Sequence, residues 1–175
     1  MFGGYGIDSL GSSGDLNDLW QYSLSAKSWT WISGFNVLST GSVYGTQGTP
    51  SASNVPGARQ EAVSWIDGAG NLWLFGGVGV ASSSAVGDLN DLWEYSPSAN
   101  TWTWISGSNG INARSVYGTK NVSSPNTVPT IGPGARQDAI SWFDSAGNLW
   151  LFGGFGTDSM GNVGNHNDLW KFPLK

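Results

Sequence analysis

The feature that most constrains this chain is an internal repeat. Asn71-Leu72-Trp73-Leu74-Phe75-Gly76-Gly77 returns as Asn148-Leu149-Trp150-Leu151-Phe152-Gly153-Gly154, and the tail of the motif opens the chain as Phe2-Gly3-Gly4. Three further landmarks keep a spacing of about 75 residues. They are Asp18-Leu19-Trp20, Asp91-Leu92-Trp93 and Asp168-Leu169-Trp170; the Trp-Thr-Trp-Ile-Ser-Gly runs at Trp29 and Trp102; and the Pro-Gly-Ala-Arg-Gln runs at Pro56 and Pro133. Landmarks in fixed order at fixed spacing mean one structural unit used repeatedly. The chain is therefore read as one domain of repeats covering residues 1–55, 56–132 and 133–175.

The complete unit, from Pro56 onward, spells four strands. Alternation over residues 61–66 predicts the first. Asp67-Gly68-Ala69-Gly70 predicts a tight turn in which glycine supplies the positive φ. The apolar run over 71–75 is the second strand, closed by Gly76 and Gly77, and a polar loop over 78–90 leads to the third, 91–95. The fourth, 101–105, places Trp102 and Trp104 on one face. Applied to the other copies, this reading gives three, four and three strands, an all-β chain of ten. The connections over 34–55 and 107–132 are long for a compact domain. Both contain Ser-Val-Tyr-Gly-Thr, so Tyr44 and Tyr117 are expected to order them as packed flaps.

Composition narrows the function classes. Twenty-seven Gly and 11 Trp with 11% charged residues exclude a disordered chain, which lacks aromatics and carries high net charge. The net charge of −5 argues against nucleic acid, and Lys27, Arg59, Arg114, Lys120, Arg136, Lys171 and Lys175 form no basic cluster. There is no Cys, hence no disulfide and no thiolate metal site. Met1-Phe2-Gly3-Gly4-Tyr5 has neither the basic head nor the apolar run of a signal peptide. No apolar stretch approaches the roughly 20 residues needed to span a bilayer, so a soluble protein without a membrane partner is expected, its compartment open. The Asn121-Val122-Ser123 sequon is too short a match to carry weight.

On these residues the chain resembles the Kelch-repeat β-propellers. The shared pattern is Arg59, then Leu74-Phe75-Gly76-Gly77, then Trp93 with Tyr95, then Trp102 with Trp104. It recurs with Arg136, Leu151-Phe152-Gly153-Gly154 and Trp170, and in part with Phe2-Gly3-Gly4, Trp20, Tyr22, Trp29 and Trp31. The Asn-Asp-Leu-Trp, Val-Tyr-Gly-Thr and Pro-Gly-Ala-Arg elements look like the long-repeat bacterial members, whose propellers resemble the central domain of galactose oxidase. The resemblance implies blades of four antiparallel strands, about two and a half of them here, and family members are often secreted or cell-envelope proteins. The period exceeds the family's roughly 50 residues, through the long connections and the 78–90 loop. Propellers close at about four to eight blades, so the terminal blades are expected to leave open edges that pair with another chain.

Candidate sites follow. The copper centre that galactose oxidase would imply has no carriers: the chain lacks Cys and has one His, His166, in a loop. No nucleophile with a base and an orienting group is found, so no catalysis and no cofactor is expected. Asp8, Asp15, Asp18, Asp88, Asp91, Asp158 and Asp168, with Asn162, Asn165 and Asn167, suggest a calcium site, since calcium takes about six to eight oxygen ligands. Their irregular spacing fits turn-capping Asp better. Arg59 and Arg136 are expected to bond backbone or Asp between blades. The Trp residues, Trp20, Trp93 and Trp170 among them, read as packing between blades. Tyr44, Tyr117, Tyr5 and Phe155, with Phe35, are the aromatics available for a ligand. Two functions stand: self-assembly of a structural unit through its incomplete terminal blades, and recognition of a glycan or protein through the long loops. Charges at Leu19 or Leu169 should abolish the first, changes at Tyr44 and Tyr117 the second.

Overall fold

The structure, a computed structural model, describes residues 1–123 and 131–174; residues 124–130 of the second long connection and Lys175 lie outside that description. The chain is all-β. The first repeat gives β1 (Phe2–Ile7), β2 (Ser13–Ser23) and β3 (Ser28–Ser33). The second gives β4 (Arg59–Gln60), β5 (Val63–Ile66), β6 (Leu72–Phe75), β7 (Val78–Val80), β8 (Val86–Asp88), β9 (Leu92–Ser96) and β10 (Thr101–Ser106). The third gives β11 (Arg136–Gln137), β12 (Ile140–Phe143), β13 (Asn148–Phe152), β14 (Phe155–Thr157), β15 (Val163–Asn165) and β16 (Leu169–Pro173).

These strands make five antiparallel sheets. Three are the larger ones, β1-β2-β3, β5-β6-β9-β10 and β12-β13-β16; two are small, β4-β7-β8 and β11-β14-β15. The small sheets correct the expected ten strands. The segment over 78–90 is a hairpin, with Val78 opposite Asp88 and Val80 opposite Val86. The strand expected over 61–66 starts only at Val63, because Glu61 takes a left-handed φ of 58° and sends Arg59–Gln60 to pair with β7 instead. Asp138 repeats that turn at 54°. In the first repeat β1 passes Gly3 and Gly4 as one bulged strand, so the large sheet and the hairpin stay fused.

The Gly-Gly steps mark where the chain leaves one sheet for the next. Gly76 has φ +66°, and a Cβ there would lie 2.7 Å from the Arg136 carbonyl. The Gly77 N–H donates to that same carbonyl at 2.9 Å, joining the second repeat to the third. Only glycine permits both the left-handed turn and the approach.

The second large sheet is packed on both faces, as the alternation of its side chains dictates. Leu74, Trp93, Tyr95 and Trp102 meet Leu19, Phe2 and Ile32 of the first sheet, together with Tyr44. Trp65, Trp73, Phe75 and Leu92 meet Leu149, Leu151, Trp170 and Phe172 of the third. Each ring so buried removes roughly 150–250 Å² from water. Polar ties cross the same interfaces: Trp102 Nε1 donates to Ser33 Oγ at 3.2 Å, and Trp65 Nε1 to the Trp142 carbonyl at 3.1 Å.

Candidate functional site

Two features stand out: a clamp that recurs behind the strands, and the outer faces of the two terminal sheets. The clamp begins with Arg59, fully buried at the start of β4. Its guanidinium forks onto Asp91 at 2.6 and 2.8 Å, while Nε reaches the Gly57 carbonyl and Nη1 the Gly76 carbonyl. The same carboxylate accepts from Trp93 Nε1 and from Tyr44 Oη, each at 2.7 Å. Burial pushes the Asp91 carboxyl up, but the Arg59 charge and the hydrogen bonds from Arg59, Trp93 and Tyr44 outweigh it and hold it below the usual carboxylate range. Burial and the neighbouring carboxylate raise the Tyr44 phenol far above its ordinary value.

The third repeat builds the clamp again. Arg136 grips Asp168 at 2.7 and 2.9 Å, and Trp170 and Tyr117 donate to Asp168 at 2.6 and 2.7 Å. The first repeat keeps only Trp20 on Asp18. Arg and Asp thus pair within a repeat, not between blades, and Asp91 and Asp168 serve the guanidinium rather than capping a turn. Sequence reasoning named every member but not the set, because Arg59 and Asp91 stand far apart in the chain. The signal was that both recur together. Asn17 and Asn90 were missed as well: each bridges the following connection, donating to Pro56 or Pro133 and accepting from Phe35 or Ser108.

The expected ligand aromatics are not brought together. Tyr44 is 6% exposed and committed to the clamp, tilted onto Trp93 and edge-on to Trp104, which removes it as a free binding residue. Tyr117 is 50% exposed. Tyr5 and Phe155 are exposed on β1 and β14, with no aromatic pair linking them among the described residues. Of the suggested calcium carboxylates, Asp8 and Asp158 point to their own turns: Asp8 accepts from Leu10 and Ser12, Asp158 from Met160 and Asn162. No group of three potential metal ligands occurs among the described residues. His166 shares a cleft of about 180 Å³ with Asp158 and Asn162. Another cleft, of about 110 Å³, lies between Phe2, Arg59, Glu61 and Leu74. Both fall short of the roughly 300 Å³ at which small-molecule pockets begin.

The outer faces are the larger surface. Trp65, Phe75 and Leu92, facing the third sheet, are 7, 6 and 5% exposed; their counterparts Trp142, Phe152 and Leu169 are 42, 42 and 55% exposed. Trp142 and Trp150 stack there at 5.8 Å, with the Lys171 ammonium 5.6 Å over Trp150. At the other end Tyr22 and Trp29, counterparts of buried Tyr95 and Trp102, stand 5.1 Å apart and open to solvent. Leu19 is buried against the second sheet, so a charge there would disrupt the core and is no probe of assembly.

No protein-family model matches the chain, and no curated protein matches it. Among solved structures it is similar to one titled "Structure of YjhT", at 21% identity and a TM-score of 0.48 over 89% of this chain and 33% of that one. The chain spans a third of that protein's length.

Proposed function

We propose that the chain is a run of Kelch-like propeller blades acting as a non-catalytic assembly module, whose partner is a second copy of itself. The four-stranded meander, the face-to-face stacking of consecutive sheets and the recurring motifs support the blade reading. One observation carries the assembly reading: the outer face of the third sheet repeats, residue for residue, the Trp65, Trp73, Phe75 and Leu92 face that the second sheet buries. The first sheet's outer face repeats the surface that receives such a face. Stacking one copy's first sheet on another's third would repeat an interface already present twice in the chain. Exposed apolar patches of this kind mark interaction sites. The reading assigns no cofactor and no nucleic-acid or membrane partner.

Light scattering over a concentration range tests it. The mass should rise with concentration for the native chain, and Trp142→Glu, at an exposed position, should hold it at one copy. A native chain that stays a monomer throughout would overturn the reading. Recognition of a glycan or protein through the long connections is the second reading, favoured by the half-exposed Tyr117 ring on Trp170.

A further inference from the structure

The connections hold the tips of the hairpins by one latch, used twice. In the second repeat the Asn109 carbonyl accepts from Ser82 Oγ at 2.9 Å and from the Ser82 N–H at 3.4 Å. In the first, the Asn36 carbonyl accepts from the Ser9 N–H at 3.1 Å. Both asparagines are exposed. The repeats part at the next residue: Val37 follows Asn36, whereas Gly110 follows Asn109, and no other Asn of the chain precedes a Gly.

That step carries its own chemistry. The carbon of an Asn side-chain amide is an electrophile, and the nitrogen of the next peptide can reach it by closing a five-membered ring. A β-branched residue such as Val crowds that nitrogen. Gly leaves it bare. To attack, the Gly110 nitrogen must shed its proton, and the charge then spreads by resonance onto the Asn109 oxygen of the same peptide. Ser82 aims two donors at that oxygen, and hydrogen bonds to a charged form favour it. The Gly110 N–H itself rests on Ser108 Oγ at 3.0 Å, a turn contact outside the strand ladders that water can replace. The Asp67-Gly68 step, alike in sequence, is locked instead, because its carboxylate accepts from Ala69, Asn71 and Trp73.

We propose that Asn109 is a self-modifying site, at which the Gly110 nitrogen, activated through Ser82, displaces the side-chain amide as ammonia and water completes the conversion to aspartate or isoaspartate. A bond forms between the Gly110 nitrogen and Asn109 Cγ, and the Cγ–Nδ2 bond breaks as the leaving nitrogen takes up a proton. Water then opens the cyclic imide at either carbonyl. In sum, amide and water become carboxylate and ammonium, with no oxidant or cofactor. The isoaspartate product carries the main chain through Cγ and is one carbon longer. Three residues on, the chain is pinned again: the Asn112 N–H donates to the Asp88 carbonyl at 2.7 Å, and Asn112 Oδ1 accepts from the Asp88 N–H at 3.0 Å. A carbon added between the two contacts puts them out of step, so the conversion loosens the tip of the hairpin and β8. The site lies within the second repeat, away from the stacking faces.

The test is peptide mapping by mass spectrometry of the whole chain aged in mildly alkaline buffer, with amide exchange compared between fresh and converted protein. Asn109 should become a mixture of aspartate and isoaspartate, taking the net charge one unit more negative than −5, while Asn36 stays an amide. Exchange over residues 82–88 should quicken in the converted fraction. Gly110→Val should abolish the conversion; a Cβ there meets nothing closer than Ser108 Oγ at 3.5 Å, so the variant keeps the fold. Ser82→Ala, which removes the hydroxyl donor and spares the main chain, should slow the conversion about fivefold, the factor carried by one hydrogen bond. An Asn109 that stays an amide, an Asn36 that converts as fast, a rate indifferent to Ser82→Ala, or exchange unchanged by conversion would overturn the proposal.

Discussion

Arg59 and Asp91 are both fully buried, and neither is tolerable without the other. The pair persists because its charges are matched and hydrogen-bonded: Arg59 makes two contacts to the carboxylate and two to backbone carbonyls, and Trp93 and Tyr44 donate to the carboxylate as well. Asp91→Asn leaves an uncompensated guanidinium in a dry site, and the loss expected for a broken buried pair is about 3–5 kcal/mol. The urea midpoint should drop accordingly, and less for Asp168→Asn, whose carboxylate is partly exposed. The same residues set the acid limit of the fold. Asp91 and Asp168 are held below their unfolded values, so their stabilisation is complete above about pH 4–5 and disappears as pH falls through the folded values. Asp15, Asp88 and Glu94 are raised, chiefly by burial, and contribute the opposite sign, gaining stability as they protonate. Midpoints measured against pH should rise slightly from pH 7 into mild acid and then fall steeply below about pH 4.

At the scale of elements, the left-handed turns at Glu61 and Asp138 divide each first strand between two sheets. A non-glycine residue pays steric strain there, roughly 1–2 kcal/mol. Glu61 is in addition pushed up by burial and by the charges of Asp138, Asp15 and Asp88. Glu61→Gly should therefore stabilise the chain by about 1 kcal/mol, seen as a rise in melting temperature of about 2–4 °C. This turn is also where the sequence was least legible. The strands at 72–75, 92–96 and 101–106 were readable because alternating apolar residues and turn-forming Gly and Asp recur in step. Nothing in Arg59-Gln60-Glu61-Ala62 announces a left-handed Glu, and the hairpin β7–β8 consists of two three-residue strands in a Ser- and Gly-rich segment. Tyr44 was misread for another reason: an aromatic in a long loop looks free until the fold brings Asp91 to its hydroxyl and Trp104 to its edge.

At the scale of the whole molecule, the stacking has a direction. The faces buried between the first and second sheets, and between the second and third, are unlike each other: Phe2 and Leu19, or Phe75 and Leu92, on one side, and Trp93 with Tyr95, or Trp170 with Phe172, on the other. The exposed face of the third sheet is of the first kind and that of the first sheet of the second kind. A contact between copies that follows this pattern is head-to-tail, which closes into a ring or runs on as a filament according to its rotation. Two variants, each with one face blocked, make the polarity measurable: Trp142→Glu on the third sheet and Trp29→Glu on the first, both at exposed positions. Each alone should remain a monomer. Mixed, they should form a discrete dimer, because the intact first sheet of one can still stack on the intact third sheet of the other, and both remaining faces are blocked against growth. A two-fold contact of like faces gives a different result, since one variant would then dimerise alone and mixing would add nothing. Mass measurements on the two variants and their mixture therefore read out the direction of assembly independently of how many copies the native chain gathers.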